Sequence, residues 1–171
     1  MAATDWEITG LYDIYSYSGS HRFRAKGNVD AKWKGRNDLA DCRIILDLFF
    51  NSYSRGGPFL RFDENLERGY YLQIKQQSAG VADHGFYRYE NSVATSLFFL
   101  RDDHFTPSPY TIRFSICGSM LNLDVLYEGS WLNIANFNDP DPIGSGCAGF
   151  RTRQDSNQTM AFDNIKIEEK I

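Results

Sequence analysis

Cysteine is scarce in this sequence, with three residues in 171, Cys42, Cys117 and Cys147. An odd number cannot pair completely, and their wide spacing matches no zinc-ligand pattern, so no disulfide framework and no zinc site organises the chain. They read as small apolar residues in or near strands, with Cys117 to Cys147 as the one bridge to consider. Long apolar runs are also missing. No stretch reaches 18 apolar residues, which excludes a helix inserted in a membrane, and the opening Met-Ala-Ala-Thr-Asp-Trp has neither the basic start nor the apolar run of a secretory leader. The reading is a chain that works in solution, as an extracellular or surface module if it is excised from a larger protein. Positive charge is in deficit: 18 Lys and Arg stand against 22 Asp and Glu, a net charge of -4. A nucleic-acid partner would need a basic face to meet its phosphates, so that class is set aside. There is no internal repeat, low-complexity tract, linker or amphipathic helix.

What the chain has in quantity is aromatic side chain: 13 Phe, 10 Tyr and 3 Trp, 15% of all residues. Aromatic residues suit the pleated, half-buried surface of a sheet. The pattern agrees with the composition. Tyr110, Ile112, Phe114 and Ile116 alternate with Thr111, Arg113 and Ser115, and Gly118-Ser119 supplies a turn before Leu121, Leu123 and Val125. An Asn-, Asp-, Pro- and Gly-rich loop (136–146) leads to Ala148-Gly149-Phe150-Arg151 and a closing strand, Ala161 to Ile167.

Earlier in the chain, Trp6 to Gly10 reads as a first strand continued by Tyr12, Ile14 or Tyr15, and Ser18-Gly19-Ser20 as a turn. His21 to Gly27 reads as a strand with a basic face. Asn28 to Asp41, around Trp33, is expected to be a long loop or irregular edge. Cys42 to Phe50, the most apolar run, is expected to be a central strand buried on both faces. Phe59 to Asp63 and Tyr70 to Lys75 form a hairpin-like pair, Tyr87 to Tyr89 and Ser96 to Arg101 add strands, and 102–109 is a Pro-containing loop. The sum is 11 to 13 short strands, an all-β, two-sheet antiparallel jelly-roll sandwich spanning residues 1–171 as one domain.

The segments Gly146-Cys147-Ala148-Gly149-Phe150-Arg151 and Ala161-Phe162-Asp163-Asn164-Ile165-Lys166-Ile167 resemble the end of a concanavalin A-like (laminin G-like) jelly-roll domain, as does Gly69-Tyr70-Tyr71-Leu72-Gln73-Ile74. The likeness covers roughly the last 60 residues best and speaks to fold before function. It implies that the first strand lies beside the last. It also implies a structural calcium ion held by Asp163, with backbone carbonyls from the Asp5 to Gly10 region completing the six to eight oxygens that calcium takes.

In this superfamily a concave sheet face commonly presents rings and polar groups to sugars. The resemblance therefore implies a noncatalytic, lectin-like domain whose partner is a glycan or polysaccharide, bound by Trp33, Arg61, Tyr71, Gln73, Tyr87, Arg113 and Trp131, with Tyr53 and Tyr89 as further rings. Enzymatic motifs are lacking. The "E-x-D-x-E" of jelly-roll glucanases is absent, and Gln73-Ile74-Lys75 matches the "Q-I-H" of jelly-roll alginate lyases only with Lys75 in place of histidine. The adjacent pairs Asp83-His84 and Asp103-His104 read as polar loop residues, and no catalytic residue is assigned. Two rivals stand beside the lectin-like reading. One is a structural or attachment protein that uses the sandwich for protein contacts or as a homo-oligomer. The other is an atypical glycoside hydrolase or polysaccharide lyase.

Overall fold

The computed structural model describes residues 3–17, 19–51, 53–78, 80–102, 109–154 and 158–169. Among these residues, a single 3-10 turn at Ala3–Asp5 is followed by twelve strands: β1 Trp6–Tyr17, β2 Ser20–Trp33, β3 Cys42–Asn51, β4 Arg55–Phe62, β5 Gly69–Ser78, β6 Val81–Glu90, β7 Val93–Asp102, β8 Tyr110–Cys117, β9 Met120–Tyr127, β10 Ser130–Asn138, β11 Cys147–Thr152 and β12 Thr159–Glu169. Ser18 and the pair Asp103-His104 lie outside the described residues.

The hairpin of β1 and β2 is the corner of the sandwich. Phe23 to Lys26 of β2 pair with β12, whereas Val29 to Lys32 pair with β11. β1 follows β2 through both halves, with a register shift between Thr9 and Leu11. The change of layer falls at Gly10 and Gly27, whose φ angles of 112° and 70° suit glycine. A Cβ on Gly10 would lie 2.4 Å from the Asn28 carbonyl oxygen, so the corner closes only with glycine there.

Two antiparallel layers follow, sharing this hairpin as an edge. One runs β1, β2, β12, β3, β8, β9, β10 (the β3 sheet), and the other β1, β2, β11, β4, β5, β6, β7 (the β5 sheet). They face each other: the Phe86 ring of β6 stacks on Phe114 of β8 with centroids 5.7 Å apart, and the Tyr110 hydroxyl of β8 donates to Asp102 of β7 at 2.6 Å. The all-β sandwich and the strand count meet the expectation from sequence.

Other expectations are corrected. β3 is central, between β8 and β12, but only one of its faces is sealed. Cys42, Ile44, Leu46 and Leu48 are fully buried, while Arg43, Ile45, Asp47 and Phe49 are half-buried, because no third layer covers the outside of the sheet. Residues 28–33 are strand rather than loop: Val29 and Ala31 point into the core, and the polar alternates are held by ion pairs, Asp30 with Arg151 and Lys32 with Glu7. β10 was not expected, because its register shift between Asn133 and Ala135 breaks the period of two. The first strand pairs with β2 alone, and β2 separates it from the last strand. Asp83 and His84 lie on β6, both buried, not in a loop. No disulfide joins Cys117 to Cys147; the first is exposed at the end of β8 and the second buried on β11.

Candidate functional site

The outward face of the β5 sheet gathers the most varied set of polar and aromatic groups. Alternation fixes which residues reach it. Tyr70, Leu72 and Ile74 of β5 belong to the main core, so Tyr71, Gln73 and Lys75 point the other way. Cross-strand registers then define three rows. In the first, Lys32, Gly149, Phe59, Tyr71 and Tyr87 lie side by side. In the second, Asp30, Arg151 and Gly57 are neighbours, Gln73 and Gly85 are neighbours, and the pairing of Gly56 with Ile74 puts Gly57 opposite Gln73. In the third, the Arg153 amide bonds the Arg55 carbonyl, Arg55 pairs with Lys75, Lys75 with Asp83, and Asp83 with Arg101. Gln73 thus sits between two residues without side chains, with a row of rings on one side and a row of charges on the other.

The ring row is a small core of its own. Phe59, Phe62, Tyr71 and Cys147 are buried together, with Leu66, Tyr87 and Tyr89 packed against them. Arg151, only 2% exposed, roofs this cluster, its guanidinium 4.7 Å from the Phe62 centroid, 5.1 Å from Tyr89 and 5.6 Å from Phe59 and Tyr71. Its Nε donates to Asp30 at 2.8 Å, and Arg153 donates to the same carboxylate at 2.9 Å. Among the described residues, Arg151 Nη1 and the Tyr71 hydroxyl have no hydrogen-bond partner. Burial pushes the Tyr71 phenol above its ordinary range, against the lowering pull of Arg151 and Arg153. The Tyr87 ring leans over Gly85, where a Cβ would lie 2.6 Å from it. Beyond the third row, Tyr53, Arg55, Lys75 and Gln158 line a hollow of about 290 Å³, with Tyr53 61% exposed at its lip.

The sequence-derived site residues divide among several places. Tyr71, Gln73 and Tyr87 come together on this face, but Tyr71 is 1% exposed and supports the surface from below. Arg61 is no surface ligand group. It is 3% exposed, and its guanidinium donates to the carbonyls of Ala40 at 2.7 Å, Gly118 at 2.9 Å and Ile143 at 2.6 Å and to Asp41 at 3.3 Å. Its left-handed backbone, φ 54°, turns the side chain away from the row of rings and into these loops. Arg113 and Trp131 sit together on the other sheet, guanidinium over ring at 4.6 Å, with Arg113 bonded to Asp124 at 2.8 Å. Trp33, half-buried at the end of β2, packs on the main core and lines a rim hollow with Lys34, Arg36 and Glu64.

Asp163 is on β12. Its carboxylate lies 3.8 Å from Arg22 Nε and accepts from the Asn164 amide at 2.8 Å. It borders a hollow of about 480 Å³ whose other walls include Trp6, Ile8, Phe23, Phe150 and Phe162. The Asp5 to Gly10 region is therefore near, as the calcium expectation requires. The donor set fits calcium poorly, however. The walls are mainly apolar, the carboxylate already faces an arginine, and among the described residues no three His, Cys, Asp or Glu side chains gather as a metal site.

Sequence reasoning missed Asp30, Arg55, Lys75, Arg151 and Arg153 as site residues. Only Arg151 carried a signal, as the last residue of the Gly-Phe-Arg segment. A second buried polar group, between the layers, was also missed: the Tyr110 hydroxyl bonds Asp102 at 2.6 Å and His84 Nε2 at 2.8 Å. Burial lowers His84 to about 4 and keeps the imidazole neutral at ordinary pH. Enclosed between the sheets, this trio braces the sandwich and has no surface at which to meet a substrate.

No family model matches the chain, and no curated protein matches it in sequence. Solved structures do. The carbohydrate-binding module CBM66 from Bacillus subtilis superposes with a TM-score of 0.73 at 14% identity, over 96% of each chain. The legume lectin-like domain from Entamoeba histolytica gives 0.68 at 12% identity, over 98% of this chain and 91% of that one. The GH43 protein BlXynB from Bacillus licheniformis gives 0.67 at 11% identity, over 99% of this chain but 38% of its own. At such identities the likeness is one of fold.

Proposed function

We propose that this concanavalin A-like jelly-roll sandwich binds a glycan, without cleaving it, on the outward face of the β5 sheet. The observation that carries the reading is the placement of Gln73 between Gly57 and Gly85, flanked by the Tyr87 ring and the Arg55 and Lys75 cations. A sugar offers an apolar ring face and a rim of hydroxyls. A tyrosine ring meets the first, while amide and guanidinium groups meet the second. The rigid cluster of Phe59, Phe62 and Tyr71 beneath holds Tyr87 and Tyr89 in place, which limits the entropy lost on binding. The likeness to a carbohydrate-binding module and a lectin-like domain over nearly the whole chain supports the same reading.

Hydrolysis has less support. A retaining glycosidase needs two carboxylates roughly 5 to 5.5 Å apart. On this part of the face Asp30 and Asp83 lie on β2 and β6, four strand spacings or about 19 Å apart. Both are engaged, Asp30 by two arginines and Asp83 by Arg101 at 3.0 Å. The likeness to the GH43 protein extends over only 38% of that chain.

A glycan array with the wild-type chain, Gln73→Ala, Tyr87→Ala and Trp131→Ala tests the proposal. Binding to a coherent glycan class, lost in the first two variants and kept in the third, is the expected result. Loss in Trp131→Ala alone would move the site to the other sheet, and silence of the wild type across a broad array would sink the reading in favour of protein contacts. Release of sugar fragments from a bound glycan would restore the enzyme.

A further inference from the structure

We infer that the glycan is acidic, and that a carboxylate- or sulfate-bearing sugar docks between Arg55 and Lys75; this rests on the glycan reading above. The two residues are direct cross-strand partners. Like charges opposite each other on one face of a sheet repel, so such a pair normally has a counter-ion. None is present among the described residues. Lys75 forms no ion pair, and Arg55 spends its Nε on the Arg153 backbone carbonyl, which leaves both Nη groups unused. The nearest carboxylates are committed elsewhere. Asp83, opposite Lys75, is held by Arg101 and Gln77, and Asp30 is shared by Arg151 and Arg153.

Charge over the patch is therefore unbalanced. Among the described residues, Arg55, Lys75, Arg101, Arg151 and Arg153 stand against Asp30 and Asp83, a surplus of three positive charges on a chain whose net charge is -4. A positive patch on an otherwise acidic protein repels cations and attracts anions of one kind only at one place. The hollow beside the pair, about 290 Å³, is near the lower limit of small-ligand pockets, a size for one sugar unit rather than a chain. Its other walls suit a sugar that carries an acid group: Tyr53 offers a ring face and Gln158 an amide for hydroxyls. The guanidinium of Arg55 can grip a planar carboxylate or a sulfate with two parallel N–H donors, and Lys75 adds a point charge from the other side. Neutral sugars would use Tyr87 and Gln73 alone.

Matched polysaccharide pairs test this by calorimetry: polygalacturonate against its methyl ester, and a sulfated galactan against its desulfated form, each with the wild type, Arg55→Gln and Lys75→Gln. The wild type is expected to favour one acidic member by roughly tenfold or more, an advantage that shrinks as salt rises. Whichever pair shows it tells carboxylate from sulfate. Each variant is expected to lose most of that preference while keeping its melting temperature within a few degrees. Equal binding of acidic and neutral members by the wild type, or an undiminished preference in both variants, would overturn this inference and leave the glycan site standing. Failure to bind any member, or any other glycan, would overturn both.

Discussion

Replacing Arg61 should destabilise the fold and leave the proposed binding face intact. Its guanidinium ties together three loops, through the carbonyls of Ala40, Gly118 and Ile143, from a side chain that is almost fully buried. A hydrogen bond from a charged donor contributes roughly 1.5 to 3 kcal/mol. Three such bonds would sum to more than the net effect, because burying the cation has its own desolvation penalty and because Ala40 and Gly118 are exposed, so water replaces the lost donor at their carbonyls. The Ile143 carbonyl is the one left unsatisfied in a buried position. The expected loss for Arg61→Ala is therefore about 3 to 5 kcal/mol, which for a chain of this length lowers Tm by roughly 6 to 20 °C. Urea unfolding at 25 °C and a thermal melt measure it, with glycan binding assayed well below the new Tm. Arg61→Lys should recover only part, since one ammonium cannot reach three carbonyls in a planar fork. A melt within 2 °C of wild type, or abolished binding at unchanged stability, would refute the structural role and return Arg61 to the ligand set.

Three further expectations follow from buried or constrained groups. Burial holds His84 near 4 in the folded chain, against an ordinary value of 6.5, so between these values the unfolded chain takes up a proton that the folded chain does not. Stability present above pH 6.5 should drain away as pH falls towards 4, by on the order of 3 kcal/mol, and urea midpoints measured across that window should flatten in His84→Gln; an unchanged slope would show that other groups carry it. Gly10→Ala should destabilise by about 1 to 3 kcal/mol from backbone strain alone, before the clash with the Asn28 carbonyl, and a wild-type melt would contradict the corner described above. Melts in EDTA and in millimolar calcium should coincide, given the poor donor set at Asp163; a rise of several degrees in calcium would establish the ion that the superfamily resemblance implies.

What could be read from the sequence, and what could not, has a physical pattern. Strands such as β8 were legible because one face is sealed and the other wet, so Tyr110, Ile112 and Phe114 alternate cleanly. The second half of β2 was hidden because Asp30 and Lys32 are satisfied by partners remote in sequence, Arg151 and Glu7, and a polar run without its partners looks like loop. β10 was hidden by a bulge. For the candidate site, strand alternation puts Tyr71, Gln73 and Tyr87 on one face, as their sequence period suggests, but the fate of Arg61 depended on a single left-handed φ that reverses its direction. The pairing of Arg55 with Lys75 is a matter of register between strands 20 residues apart, and no local pattern encodes register without the turn geometry that sets it.

The aromatic cluster under the proposed site explains why these polar groups are so unusually placed. Phe59, Phe62 and Tyr71 lie on the outside of a sheet that no third layer covers, yet they are buried. Their cover is Arg151 and the rings of Tyr87 and Tyr89, with Leu66 from the loop between β4 and β5. A guanidinium suits this roof because it is flat, weakly hydrated and attracted to ring faces, and because Asp30 can hold one edge. Had stability been the only demand on this surface, small polar residues over an ordinary alternating face would have met it without burying a charge. A sealed aromatic floor, a buried cation and a neighbouring pair of cations without a counter-ion among the described residues are the features on which the proposal of an acidic sugar rests.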